Sequence, residues 1–188
     1  MAIRIFIDQG HNPGYINAGA SANGLSEADV TYHVGAYLAD MLASDSRFEV
    51  RTSRTYPEEV LGYDTPSSLQ ERVYQANSWP ADYFISIHAN YNENPAINGS
   101  EVYVYQRYSR AWHLGEDVLD SIVEVVGTRD NLVRVNPSLY VLRRTTMPAI
   151  LVELGYLTNT ADAEKLRDDQ YAFAQGIYLG ILRYFELV

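Results

Sequence analysis

The feature that most constrains this chain is a set of three short apolar segments, each followed by a titratable side chain. Runs of this kind are typical of strands that are buried on both faces of a sheet. Because the carboxyl ends of parallel strands lie at one edge of the sheet, we expect the three side chains to converge there. The segments and the groups that follow them are residues 3–7 with His11, residues 83–87 with His88, and residues 149–152 with Glu153.

The rest of the chain alternates between strand-like and helical patterns, which favours an α/β fold. Ser26 and Asp29 resemble a capping box at the start of the first helix. We predict three layers, with a central sheet of about six strands, mostly parallel or mixed, flanked by about five helices. The other predicted strands are residues 48–51, 101–105 and 140–142; the helices begin near Ser26, Thr65, Ser109 and Thr160, and the last one carries residues 173–185.

The length and composition indicate one globular domain over residues 1–188. The chain is 47% hydrophobic and shows no repeat or long linker, as expected for a single core. No apolar run approaches the ~20 residues of a transmembrane helix, and the first residues lack the pattern of a signal peptide. The formal net charge of −10 argues against nucleic acid and anionic membranes as partners.

The absence of cysteine restricts any metal site to histidine and carboxylate ligands. Two histidines and one carboxylate suit zinc and leave one coordination position for water. A further carboxylate can move the proton of that water to a leaving nitrogen. The same ligands can also hold another divalent metal, so the residue types alone do not identify the ion.

Each candidate also has a structural interpretation. A histidine that follows a strand is often a loop or capping residue. Glu27 stands in the first turn of a predicted helix, where the helix dipole favours a carboxylate, and its local sequence indicates a structural role. Glu153 lies within a strongly apolar stretch, where a carboxylate is costly unless it is paired, bound to metal or reactive.

The chain resembles the zinc-dependent N-acetylmuramoyl-L-alanine amidases of the amidase 3 family over essentially its whole length. The resemblance implies that His11, Glu27 and His88 are zinc ligands and that Glu153 is the catalytic glutamate. The motifs that carry it are IDQGH at residues 7–11, SEAD at 26–29, SIHAN at 86–90 and VELGYLTN at 152–159, supported by LQERVYQAN at 69–77 and YVLRRTTMP at 140–148.

One departure from the family pattern follows the first ligand. The family usually has PGHGG there, whereas residues 9–13 of this chain read QGHNP. The histidine is kept, but the loop beyond it differs, and we expect its contacts with substrate to differ too.

The resemblance implies hydrolysis of the amide bond between N-acetylmuramic acid and L-alanine in peptidoglycan. It implies one zinc ion as cofactor and action at the bacterial cell wall, and we expect a monomer. An endolysin, an autolysin and a sporulation or germination enzyme would share these motifs. Two alternatives stay open: a zinc carboxypeptidase that acts on stem peptides, and a catalytically inactive wall-binding module.

Further polar residues lie in or beside the motifs. Arg72 and Arg143 are candidates for contacts with substrate carboxylates, since arginine pairs with carboxylates through two hydrogen bonds. A structural ion pair accounts for either arginine equally well. Asn90 is a candidate for orienting the site, whereas His33 and His113 match no motif and are interpreted as structural or solvated.

Overall fold

The strands of this protein follow the apolar segments of its sequence. The computed structural model describes residues 2–188. The strands are β1 (Ile3–Gln9), β2 (Ser21–Ala22), β3 (Leu25–Ser26), β4 (Phe48–Thr52), β5 (Tyr83–Asn90), β6 (Ser100–Val104), β7 (Asp130–Val135) and β8 (Ala149–Tyr156). Six of them form the central sheet in the order β4-β1-β5-β8-β6-β7, and β2 pairs with β3 separately. Neighbours in the central sheet are parallel except for β6 and β8, so the sheet is mixed, as predicted.

Helices cover both faces of this sheet. They are α1 (Glu27–Ala43), α2 (Thr65–Ser78), α3 (Arg110–Val126), α4 (Tyr140–Arg144), α5 (Thr160–Asp168) and α6 (Gln170–Tyr184). Successive strand residues point to opposite faces: Ile7 joins a core with α1, α3 and α6, whereas Phe6 joins a core with α2 and α4. The three-layer α/β prediction is confirmed. Within residues 2–188, no helix has the length and apolar character needed to cross a bilayer.

One predicted strand is wrong. Residues 140–142 form part of the short helix α4, which raises the number of helices to six. Val141 and Leu142 are apolar because they pack against the sheet, each only 4% exposed. A short apolar run is compatible with a buried strand or a buried helical turn, and its periodicity does not distinguish the two.

Two smaller features also differ from expectation. Strand β7 was not predicted, because it is an edge strand with mostly exposed or half-buried side chains and therefore lacks an apolar run. Ser26 does precede α1, but its side chain makes no capping hydrogen bond, so the capping-box prediction is wrong. The start of α1 is instead tied down by Glu27, whose Oε2 accepts a hydrogen bond from the backbone N–H of Ala20 at 3.0 Å.

The sheet order brings the three expected strand ends together. Strands β1, β5 and β8 are consecutive neighbours and run parallel. His88 on β5 lies directly opposite Glu153 on β8, and His11 follows the end of β1. The convergence at the carboxyl edge that the sequence predicts is therefore present.

Candidate active site

Three side chains from different elements meet at the carboxyl edge of the sheet. His11, Glu27 and His88 each offer a ligand atom, and these atoms lie within 4.8 Å of one another. Glu27 Oε1 stands 3.1 Å from Nε2 of His11 and 3.0 Å from Nδ1 of His88. The two imidazole rings pack edge to face with their centroids 4.8 Å apart. Two nitrogens and one oxygen so arranged can hold a divalent metal ion.

His11 is fixed by the loop that follows β1. Its Nδ1 lies 3.0 Å from the carbonyl oxygen of Asn17. A carbonyl only accepts, so Nδ1 carries a proton, and Nε2 is the ring nitrogen that faces Glu27. The backbone of His11 is in the left-handed region, with φ of 66°, a conformation that non-glycine residues adopt only when their surroundings enforce it.

Glu27 is a buried carboxylate whose local environment supplies its hydrogen bonds. The residue is 5% exposed. Its Oε2 accepts from the N–H of Ala20, and its Oε1 accepts from the N–H of Ala89 at 3.2 Å. Burial acts to raise the pKa of Glu27, but the hydrogen bonds and charges of His11 and His88 outweigh it and hold the pKa well below the usual range. The carboxylate is therefore ionised, as a metal ligand must be.

Two glycines make room for this group. A Cβ atom at Gly10 would lie 2.5 Å from Nε2 of His88. A Cβ at Gly19 would lie 2.6 Å from Oε2 of Glu27 and 2.7 Å from the His11 ring, and the φ of 73° at Gly19 also disfavours a side chain. Glycine is thus required at both positions. Neither glycine could be identified from the sequence, because most loop glycines serve turns that have no connection with a metal site.

A buried ion pair stabilises the loop that carries His11. Asp8 and Arg72 are each 1% exposed, and Nη1 of Arg72 lies 2.6 Å from Oδ1 of Asp8. Arg72 also donates to the carbonyl oxygens of Gln9 and His11. Burial raises the pKa of Asp8, but the charge and hydrogen bond of Arg72 exceed that effect and lower it. The structure therefore favours the ion-pair alternative for Arg72 over contact with substrate.

Glu153 differs from the other carboxylates of the site in lacking a partner. The side chain is partly exposed, yet its Oε2 atom is buried and has no hydrogen-bond partner among residues 2–188. Burial, and then the negative charges of Glu27 and Glu101, raise the pKa of Glu153 well above the usual range. A carboxyl group with a raised pKa, free of protein partners, suits proton transfer to and from a substrate.

The remaining candidates lie around this group. Asn90 donates a hydrogen bond to Oε1 of Glu101 at 2.7 Å and accepts one from the N–H of Tyr91. Arg143 lies over the ring of Tyr140 on α4, 5.9 Å from its centroid. The geometry tests neither as a substrate contact, and both stay predictions.

His33 and His113 lie outside the metal-binding group. His33 Nδ1 is 2.8 Å from the carbonyl of Asp29 one turn earlier in α1, and His113 lies 3.2 Å from Glu116 in α3. Both contacts are exposed and within one helix. This agrees with the interpretation of the two residues as structural or solvated.

A small cavity of about 120 Å³ adjoins the two histidines. Its remaining walls are largely apolar and include Leu69, Tyr140 and Leu151. A larger cavity of about 730 Å³ lies near the amino end of β1, beside Arg4, and contains none of the four site residues. The small cavity is the relevant one, because it opens directly beside groups that can bind metal.

Comparison with known proteins adds independent information. A family model described as N-acetylmuramoyl-L-alanine amidase matches residues 5–183. The N-acetylmuramoyl-L-alanine amidase CwlM of Bacillus licheniformis is 38% identical over 98% of this chain and 70% of its own length. The N-acetylmuramoyl-L-alanine amidase LytC of Bacillus subtilis is 37% identical over 97% of this chain, which spans only 35% of LytC.

Solved structures agree with the sequence matches. The catalytic domain of CwlV, an N-acetylmuramoyl-L-alanine amidase from Bacillus (Paenibacillus) polymyxa var. colistinus, superposes with a TM-score of 0.86 at 30% identity, covering 99% of each chain. The N-acetylmuramoyl-L-alanine amidase of Clostridium difficile 630 gives a TM-score of 0.87, also at 30% identity, over 98% of this chain and 97% of its own. The family match extends from β1 to α6 and spans all four site residues.

Proposed function

This chain belongs to the N-acetylmuramoyl-L-alanine amidase family, and from that premise we propose how its residues carry out the reaction. The chain hydrolyses the amide bond between N-acetylmuramic acid and L-alanine in peptidoglycan. His11, Glu27 and His88 would hold a zinc ion, and Glu153 carries the proton. The observation that supports this assignment best is the meeting of the three ligand atoms within 4.8 Å, next to the strand that carries Glu153.

The ligand set fits zinc. Zinc accepts imidazole nitrogen and carboxylate oxygen, and three protein ligands leave a position for water. His11 already has the outer hydrogen bond, from Nδ1 to the carbonyl of Asn17, that orients a metal-binding histidine. When bound, zinc lowers the pKa of a water molecule and polarises the substrate carbonyl. The loop after β1, the first turn of α1 and strand β5 each supply one ligand, so the fold itself brings the set together.

Glu153 moves the proton in this proposal. Its free carboxyl oxygen accepts a proton from the attacking water and then donates it to the nitrogen of L-alanine as the amide bond breaks. The raised pKa favours the second step, because the group holds a proton at a pH at which an ordinary glutamate has lost it. General acid–base transfer of this kind is worth about 10²- to 10⁴-fold in rate.

The apolar cavity beside the histidines suits the substrate side of the reaction. Leu69, Tyr140 and Leu151 line it and would exclude water from the bond that is cut. Arg143, which lies over Tyr140, is our candidate for a contact with a stem-peptide carboxylate. We further propose that residues 1–188 act as one catalytic domain, as a monomer, at the bacterial cell wall.

The experiment that tests these roles pairs Glu153→Ala with the unaltered protein. We expect the variant to bind one zinc per chain and to lose about 10²- to 10⁴-fold in lysis of purified peptidoglycan. Metal content measured by mass spectrometry and turbidity of the wall suspension provide the two readouts. Near-normal lysis by the variant would refute the role of Glu153, and loss of zinc would indicate a role in holding the metal.

The products distinguish the alternatives that the sequence left open. The amidase releases stem peptides that begin with L-alanine and leaves the glycan intact. A carboxypeptidase shortens the stem peptide at its other end, and a wall-binding module releases nothing. Mass spectrometry of the digested wall separates these outcomes.

A further inference from the structure

A second buried carboxylate, Glu101, lies directly beside Glu153. Strands β6 and β8 are antiparallel, and Glu101 and Glu153 are paired residues in that ladder. Side chains of such a pair lie on the same face with Cβ atoms about 4.5–5.5 Å apart, and like charges so placed repel each other. Glu101 is 3% exposed. Two carboxylates therefore share one face of the sheet next to the candidate metal ligands.

The two carboxylates have opposite surroundings. Oε1 of Glu101 accepts three hydrogen bonds, from Nδ2 of Asn90 at 2.7 Å, from the hydroxyl of Tyr103 at 3.1 Å and from the hydroxyl of Tyr156 at 3.2 Å. Its Oε2 lies 3.0 Å from Nε of Arg134. Oε2 of Glu153, by contrast, has no partner within residues 2–188. Three hydrogen-bond donors and one guanidinium group thus all contact Glu101.

The two tyrosine hydroxyls lie beside the carboxylate pair, since both contact Glu101, which is directly opposite Glu153. Burial, followed by the charge and hydrogen bond of Glu101, raises the pKa of Tyr156 to about 12, and the charge of Glu153 adds to the effect. The pKa of Tyr103 is raised by the same groups. Without Glu101, either hydroxyl could turn to the neighbouring carboxylate, since a buried hydroxyl is costly to leave unpaired.

We infer that Glu101 is a positioning residue: it accepts the hydrogen bonds of the neighbouring donors and thereby keeps the carboxyl of Glu153 free for the reacting groups. The inference rests on the proposed role of Glu153. It explains why a repulsive pair of carboxylates is kept at this edge of the sheet. It also explains why only one of the two is saturated with donors.

The test measures kcat and KM on a soluble muramoyl-peptide for a set of variants. Glu101→Leu removes both acceptor oxygens and should lower kcat about 10-fold, a part of the 10²- to 10⁴-fold that proton transfer supplies, and change KM less than about twofold. In a Glu153→Gln background the same substitution should have almost no effect, because interacting residues are non-additive. Adding Tyr103→Phe and Tyr156→Phe to Glu101→Leu should restore kcat to within about threefold of the unaltered protein.

Asp162 provides the matched control. It is also a buried carboxylate, 4% exposed, and accepts hydrogen bonds from the N–H groups of Gly99 and Tyr156. Asp162→Asn tests the same loss of charge near the end of β8 without freeing a hydroxyl. Its effect on kcat should be equal in the unaltered and Glu153→Gln backgrounds, as for independent sites.

The outcomes separate the inference from the proposed function. If Glu153→Gln keeps full activity, the role of Glu153 itself is wrong. If Glu153→Gln lowers kcat about 100-fold or more but Glu101→Leu lowers the residual kcat by the same factor as in the unaltered protein, only the inference is overturned. Should Glu101→Leu alone not fold, the triple variant with both phenylalanines provides the test. A folded triple variant whose kcat is more than about tenfold below that of the unaltered protein contradicts the inference.

Discussion

Replacement of Arg72 by methionine tests whether its ion pair with Asp8, which contacts the loop that carries His11, stabilises the fold around the site. The substitution keeps an unbranched apolar stem but removes the guanidinium group, which leaves the carboxylate of Asp8 buried, 1% exposed, without its cation. Breaking a buried pair on one side costs about 3–5 kcal/mol. The donors to the carbonyl oxygens of Gln9 and His11 are lost as well, so we expect a loss near the upper end of that range.

The loss of stability caused by Arg72→Met should depend on pH. In the unaltered protein the pKa of Asp8 is lowered from 3.8, so the pair contributes stability above about pH 4 and loses it as pH falls through the lowered pKa. In the Arg72→Met variant, burial remains the largest influence and raises the pKa of Asp8, opposed only by the hydrogen bond of Ser86 and the charge of His88. The difference in unfolding free energy between the two proteins should therefore be largest at pH 7 and shrink toward pH 4.

The assay is urea unfolding at pH 7 and pH 4.5, with zinc removed so that metal binding does not contribute. Arg4→Met is the matched control, because Arg4 pairs with Asp82 while both side chains are more than a third exposed, and such pairs contribute about 0–1 kcal/mol. The double variant Asp8→Asn with Arg72→Met removes both charges and should recover part of the loss. A cost below about 1.5 kcal/mol for Arg72→Met, or one independent of pH, would refute the reasoning.

Three further predictions concern the metal group. Glu27→Gln should weaken zinc binding at least about 100-fold in calorimetric titration while the far-ultraviolet spectrum stays unchanged, since a ligand charge is lost; unaltered affinity would exclude Glu27 as a ligand. Gly19→Ala should destabilise the metal-free protein by roughly 1–3 kcal/mol, because its Cβ meets Glu27 and the His11 ring in a left-handed backbone; Gly24→Ala, also left-handed but in open space, is the control and should cost less. Zinc affinity should fall as pH drops below about 7, because a histidine ligand must be deprotonated. Burial lowers the pKa of His11, but its contacts with Glu27 outweigh that effect and raise the pKa above 6.5. A flat profile of affinity from pH 7.5 to 5.5 would contradict histidine ligation.

The strand ends explain how much of the site the sequence could reveal. Apolar runs before His88 and Glu153 predict buried strands, and the carboxyl ends of parallel strands lie at one edge of the sheet. Glu27 carries no such signal, because a carboxylate in the first turn of a helix is expected on electrostatic grounds alone. Its position depends on α1 packing across the sheet, which brings its Oε1 within 3.0 Å of His88. Only the family resemblance pointed to it beforehand.

The errors have a common physical origin in tertiary contacts. Val141 is apolar because α4 packs against the sheet, and a run of three residues does not distinguish a helical turn from a strand. For Arg72 the sequence leaves a substrate contact and an ion pair open, because its partner Asp8 stands 64 positions away in the chain. Glu101 stands in the sequence only as the first residue of a predicted strand. The hydrogen bond that it accepts from Tyr156 arises from the pairing of β6 with β8, which local patterns do not specify.

The measurement that tests the central claim most directly is hydrolysis of a soluble muramoyl-peptide in water enriched in oxygen-18, followed by mass spectrometry of both products. Cleavage of the bond between N-acetylmuramic acid and L-alanine places one heavy oxygen in the lactyl carboxyl group of the sugar and none in the released peptide. We predict this pattern for the zinc-loaded protein and its loss in Glu153→Ala. Heavy oxygen at the carboxyl end of the peptide, with the sugar still attached, would contradict the proposed reaction.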